Sequence, residues 1–368
     1  MEEAKMKWLG EKLKDLVETR YRSQDEFCDK IKVSRQSFSS WVNEGNIPNG
    51  KSLLAIAVEL QISIADLFED TVVASPQFMP AHNALVNPES FDEANALAEE
   101  YSNIISYDSL VFSQICELST DKFKQLSKQF RSFAEVDEIS AMTYGDVFKL
   151  AHKLGICIIF RKFSNNLSEV YAFHRMINGV PVIFVDTESF VTDLIFVLLH
   201  EICHSVRRNN DTDASEDEFC NKVADLAQFP DSFLNRLQVE LNRADKETQK
   251  GIIAKYARDF SVLGLYKSFE RRGIEVNWHY TKDQIKAVSS GINDCIGKIG
   301  DILSPDTASA KEICLNYFTF SSLFFKKFLL PNLENMTARF VAQIFDLSNG
   351  EDGQALLEEL KELRDSIK

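Results

Sequence analysis

Five residues late in the chain, His200-Glu201-Ile202-Cys203-His204, carry its clearest chemistry. They close an apolar run, Phe190 to Leu199, that reads as a buried helix. Residues four apart share one face of a helix, so both imidazoles point the same way. Two neutral ring nitrogens one turn apart supply two zinc ligands, and Glu201, beside the first of them, is placed to act as general base toward a metal-activated water. Two core histidines on a helix that happens to carry a glutamate are the plain alternative. With only six His in 368 residues, a chance match has a probability on the order of one in a hundred. Two His leave such a site incomplete; a third protein ligand is required.

The surrounding elements follow from hydrophobic period. Helices are expected from about residue 91, with Ala94, Leu97, Ala98 and Tyr101 on one face, and then over 121–133 and 144–154. Short β-rich runs at 157–160, 169–173 and 180–185, separated by Asn165-Asn166 and Asn178-Gly179, predict a small antiparallel sheet feeding the His200 helix. In a zinc peptidase of this kind the sheet edge pairs with an extended substrate. His174 and Tyr171, at the sheet, are candidates to stabilise or protonate a tetrahedral intermediate, although ordinary structural roles suit both. A further helix spans Asp217-Glu218-Phe219-Cys220-Asn221-Lys222-Val223-Ala224 and runs on to Phe229-Pro230.

Together these two helices resemble the ImmA/IrrE family of metallopeptidases, in which the H-E-x-x-H helix precedes a helix of the form E-x-x-C/A-N/D-x-x-A ending at proline. Cys220, Asn221, Val223, Ala224 and Pro230 keep that spacing, over about residues 140–230. The resemblance implies a zincin-like fold, a Zn2+ cofactor held by His200, His204 and a carboxylate, and Glu201 as the catalytic base. The family's ligand position falls on Asp217, an Asp where the family has Glu; Glu218, one residue later, is the alternative. Glu216, Asp217 and Glu218 also suit a solvated acidic helix start. Asn221 is expected to hydrogen-bond a ligating His, and Cys203 and Cys220 to pack.

Near the N-terminus, short amphipathic runs alternate with turn signals. Leu9, Leu13 and Leu16 mark a helix over 5–18; Ser23, with Glu26 three residues on, caps a second that ends near Ile31; Lys32-Val33 turns; Ser34 caps a third, 35–43, which Gly45 stops. Runs at 52–60 and 64–68 follow. Short helix, tight turn and capped helix is the helix-turn-helix order. With Phe27, Ile31, Val33-Ser34, Trp41, Glu44-Gly45, Pro48, Leu53, Ile56, Ala57, Leu60, Ile62, Ile64 and Leu67-Phe68, the stretch 5–70 resembles the XRE (Cro and phage repressor-like) family. That resemblance implies base reading by Arg35, Gln36 and Ser40, with Ser34 and Ser37 at phosphates, on a double-stranded DNA operator. Arg suits guanine and Gln adenine. A solvated polar face is the alternative, and the first 72 residues carry somewhat more acids than bases. The electrostatic footprint for DNA is weak, which points to a dimer or to modest affinity.

The whole chain has a formal charge of −15, which excludes a surface coated for nonspecific nucleic-acid or anionic-membrane binding. Met1-Glu2-Glu3-Ala4-Lys5 lacks the features of a signal peptide, and the apolar stretch Tyr317 to Leu330 is broken by Lys326-Lys327. Seven cysteines without paired C-x-x-C spacing fit reduced thiols. A cytoplasmic protein with no membrane partner is expected.

The fold class expected is α+β and mostly α. Residues 1–70 form a helix-turn-helix bundle; 71–90, with Pro76, Pro80 and Pro88, a linker that holds His82; 91–235 the zincin-like domain; and 236–368 a helical C-terminal region. In that last region Tyr317, Phe318, Phe320, Phe324, Phe325 and Phe328 read as core, and Leu356, Leu357, Leu360 and Leu363 line one stripe of a final helix. The resemblances imply a DNA-binding regulator whose zinc endopeptidase cleaves a repressor or other regulatory protein in a stress or phage response. The alternative is a transcriptional repressor, or an antitoxin to a partner toxin, that uses the metallopeptidase fold as scaffold or sensor.

Overall fold

The computed structural model describes residues 10–21, 23–44, 46–60, 88–105, 122–164, 167, 170–207, 214–257, 260–347 and 350–367. The expected helix at 64–68 and most of the expected linker, including His82, lie outside these residues. In chain order the helices are α1 Gly10–Arg20, α2 Gln24–Ile31, α3 Arg35–Asn43, α4 Gly50–Leu60, α5 Pro88–Glu100, α6 Phe123–Ala134 and α7 Tyr144–Lys153. Three strands follow, β1 Cys157–Arg161, β2 Ala172–Ile177 and β3 Val180–Asp186. Then come α8 Leu194–Arg207, α9 Ala214–Gln228, α10 Asp231–Arg243, α11 Lys246–Ala257, α12 Val262–Arg271, α13 Lys282–Ile296, α14 Ile299–Leu303, α15 Ala310–Phe320, α16 Ala338–Ile344 and α17 Gly350–Ile367. The chain divides into two compact units, one of residues 1–78, 190–193 and 234–298, the other of 79–189, 194–233 and 299–368. The region 236–368 is therefore shared between them.

In the first unit the helix-turn-helix forms as its caps dictate. Ser23 Oγ accepts from the Glu26 N–H at 3.2 Å and starts α2. Lys32 ends it in the left-handed conformation, φ 56°. Ser34 Oγ accepts from the Ser37 N–H at 3.0 Å and starts α3. Each such cap stabilises its helix by about 1 kcal/mol. Leu13, Val17, Phe27, Phe38, Leu53, Ile56 and Leu60 are fully buried, with the Phe27 and Phe38 rings edge-on at 5.7 Å.

The same core runs on into Ile253 and Ala257 of α11, Val262 of α12, and Ile285, Ile292 and Ile296 of α13. The four helices of 10–60 bury their apolar faces against a second layer drawn from far along the chain. Residues 190–193 are pegged to that layer: Thr192 Oγ1 donates to Asn293 Oδ1 at 2.6 Å, and the Thr192 carbonyl accepts from the Ser261 N–H at 3.2 Å.

In the second unit three strands make one sheet, in the order β1-β3-β2. The sheet is mixed, where an antiparallel one was expected: β2 and β3 pair antiparallel, but β1 and β3 pair parallel. The cause lies in the connections. Asn178 and Gly179, at φ 48° and 79°, form a two-residue hairpin that fixes β2 against β3, and shifts β2 to 172–177 from the expected 169–173. The longer path from β1 to β2 leaves β3, buried along its whole length, to occupy the centre.

Residues 299–367 complete this unit's core. Tyr101 packs edge-on against Phe184 and Phe324, at 5.4 and 5.8 Å, and Tyr317 against Phe345 at 4.8 Å. At the end of β1 the guanidinium of Arg161 holds Asp346 at 2.9 Å, the Tyr101 hydroxyl at 2.9 Å and Glu100 at 3.3 Å.

Gly50 opens α4, and a Cβ there would collide with the Ile296 carbonyl oxygen at the end of α13. Gly50→Ala is expected to destabilise the first unit by about 1–3 kcal/mol through overpacking, read as a lower denaturant midpoint in equilibrium unfolding.

Candidate functional site

Helix α8 is buried almost all round, with twelve of its fourteen residues inside, His200, Glu201 and His204 among them. An apolar helix that carries three ionisable groups on its interior must give each of them a partner. It packs on β2, β3 and α9. The two His Nε2 atoms meet at 2.9 Å. From α9, Asp217 Oδ1 comes to 3.1 Å of His200 Nε2 and 3.5 Å of His204 Nε2. Two nitrogens and a carboxylate oxygen thus converge on one point, a donor set that fits zinc.

The neighbouring acids have other partners. Glu218 is two-thirds exposed and pairs with Lys222 at 2.6 Å, one turn along the outer face. Glu216 is buried and held by Arg207, which reaches it through Nε and also through Nη2 at 2.8 Å. Arg207 itself lies 3.9 Å over the Phe219 ring. A second donor group, His204, Glu216 and Cys220, comes within sharing distance of one ion. Its carboxylate is already neutralised by Arg207, and burial pushes the Cys220 thiol far above its ordinary range, so neither is a ready ligand.

Cys220 Sγ comes within 4.8 Å of a His204 ring nitrogen. Asn221 Oδ1 is buried with no hydrogen-bond partner among the described residues. The carboxyl end of α9 is gripped by Arg131 of α6, whose guanidinium donates to the Ala227 carbonyl at 2.5 Å, the Ser140 carbonyl at 2.6 Å and the Asp137 carbonyl. That grip fixes the helix that presents Asp217.

Glu201 is buried, and its Oε2 has no hydrogen-bond partner among the described residues. The nearest cationic candidate is His174 of β2, with Nδ1 at 3.8 Å from that oxygen. The His174 ring also stacks parallel on His204, 3° between planes and 5.5 Å between centroids. The sequence named His174, but only the hairpin register brings it beside Glu201. Burial works against a charged His204; its hydrogen bonds to Asp217 and Cys220, with the nearby Glu201 charge, outweigh this and raise it to about 10. A divalent cation would compete with protons for these donors.

The first unit presents a different surface. Arg35 and Gln36, the first residues of α3, are exposed. Ser34 Oγ caps the helix and lies 2.8 Å from Ser37 Oγ. Ser40 Oγ accepts from Asn46 Nδ2 at 2.5 Å, which holds the segment after α3 against that helix. Helix, left-handed turn and serine-capped helix stand in the expected order.

Residues 12–69 match the bacteriophage CI repressor helix-turn-helix domain. The repressor-type domain takes in Ser34, Arg35, Gln36, Ser37 and Ser40 and stops well short of His200. No curated protein and no solved structure gives a significant match to the chain. No helix among the described residues is long and apolar enough to cross a membrane.

The donor geometry separates the two carboxylates that the sequence leaves open. With zinc supplied, Asp217→Ala is expected to lower bound metal severalfold, while Glu218→Ala keeps about one zinc per chain, as a single site requires. Elemental analysis of the purified variants is the check.

Proposed function

We propose that the chain is a DNA-binding transcriptional regulator with a zinc-dependent endopeptidase of ImmA/IrrE type, acting on a repressor or other regulatory protein in a stress or phage response. The repressor-type helix-turn-helix domain carries the first half of this reading. The observation that carries the second is the convergence of His200, His204 and Asp217 beside a buried Glu201 carboxylate with an oxygen to spare. A scaffold has no need of that oxygen; a general base does.

When bound, zinc would supply a Lewis acid that polarises a peptide carbonyl and makes water a better nucleophile. His200, His204 and Asp217 would hold it. Glu201 Oε2 would take the proton from the attacking water and return it to the leaving amine. His174 lies where it can steady that carboxylate, and the surrounding apolar wall of α8 keeps bulk water out.

A second reading has its own support. The side chains of His200, His204 and Asp217 are only 4%, 2% and 16% exposed, which restricts a polypeptide's access. In this reading the metal cluster serves as scaffold or sensor in a non-proteolytic repressor or an antitoxin.

Glu201→Gln separates the two. On the peptidase reading the variant keeps its zinc and loses cleavage of a peptide library by a factor on the order of 10² to 10⁴. Cleavage by the variant at the wild-type rate would remove Glu201 from the chemistry. For the DNA half, Arg35→Ala combined with Gln36→Ala is expected to weaken binding to a selected operator on the order of tenfold to a hundredfold, measured by duplex titration at fixed salt; unchanged binding would move base reading off α3.

A further inference from the structure

The two helices of the helix-turn-helix are joined by more than their apolar core. Arg35 Nη1 lies 3.3 Å from Asp25 Oδ1, so the first residue of α3 is paired with a carboxylate in the first turn of α2. Both side chains are more than half exposed, and an ion pair of that kind adds little to stability. Its consequence is orientation. Asp25 stands on a turn fixed by the Ser23 cap, and Arg35 on one fixed by the Ser34 cap, so both ends of the pair start from rigid backbone.

A guanidinium is a planar fork with five N–H donors. At ion-pair distance from Asp25 Oδ1 the fork is biased toward one orientation, which leaves its remaining donors together as one edge. Two donors side by side match the O6 and N7 acceptors of guanine, which no other base presents. A free arginine would bind any nearby phosphate as readily. An acid on this face repels phosphate, and the helix-turn-helix already carries Glu26 in the same turn of α2. Asp25 thus costs general DNA affinity.

We propose that Asp25 is a specificity-determining residue: its ion pair with Arg35 aims the guanidinium edge at one guanine of the operator and lowers affinity for sequences that lack it. This rests on the DNA-binding reading of residues 12–69.

The test is a selection from random duplexes with the full-length chain, followed by titration of the selected duplex and of one with the guanine replaced. Wild type is expected to fix a guanine at one position and prefer it by about 5- to 150-fold, the range of one bidentate contact. Asp25→Asn is expected to cut that preference to within about threefold while binding the replaced duplex as tightly as wild type or more tightly. Arg35→Ala is expected to lose the preference altogether. Retention of the full preference by Asp25→Asn would overturn the proposal, as would an equal loss of affinity for both duplexes, the mark of a merely structural role. Selection of a sequence whose Arg35-dependent position is not guanine overturns it too while leaving the DNA-binding reading intact. Failure of wild type to bind any duplex would sink that reading and this one together.

Discussion

One turn of α8 places two imidazoles and a carboxylate inside the protein, and buried polar groups of that kind are costly unless partners are brought to them. Much of the second unit answers that demand. Asp217 comes from α9 to the two Nε2 atoms, Cys220 backs His204, and β2 delivers His174 to the side of Glu201. Arg207 removes Glu216 from the same field, and Arg131 ties down the far end of α9. Leaving a single buried polar group unsatisfied costs about 1–3 kcal/mol. The convergence therefore offsets part of the cost of burying α8, while Glu201 Oε2 is left without a hydrogen-bond partner among the described residues.

The first unit works under a different constraint. The four described helices of 10–60 enclose only a small interior of their own. Its aromatic centre, Phe27, Phe38 and Trp41, is closed on one side by α11, α12 and α13 rather than left to solvent. Arg35 and Gln36 of α3 stay exposed, while the opposite faces of the helices are buried against that added layer. Rigid backing and an open polar edge are compatible because they fall on opposite faces of the same helix.

How much of this was legible in sequence follows from the range of the interactions involved. The caps at Ser23 and Ser34, the turn at Lys32 and the convergence of His200 and His204 depend on residues within four positions of one another, and local spacing specifies them. The sheet departs from expectation in the bounds of β2 and in its topology: Asn178-Gly179 announces an antiparallel hairpin, but nothing local says that β1 joins on the far side of β3, parallel. The choice of Asp217 over Glu218 required the rotation of α9, which packing sets. The continuation of the helix-turn-helix core into 253–296, and the pairing of Arg161 with Asp346, join residues about two hundred positions apart and leave no periodic signal in the chain. Asn221 shows the limit of reading a role from position, since its Oδ1 finds no hydrogen-bond partner among the described residues.

The interleaving of the two units bears on how the protein is made. Leu60 ends the last described helix of the repressor-type domain, yet the apolar partners that close its core end at Ile296. At a synthesis rate of about 5–20 residues per second, roughly ten to fifty seconds separate the emergence of the two halves from a ribosome. Throughout that interval the faces of Leu53, Ile56 and Leu60 lack their native cover. The core of the first-made helices can therefore close only once nearly three hundred residues have been translated.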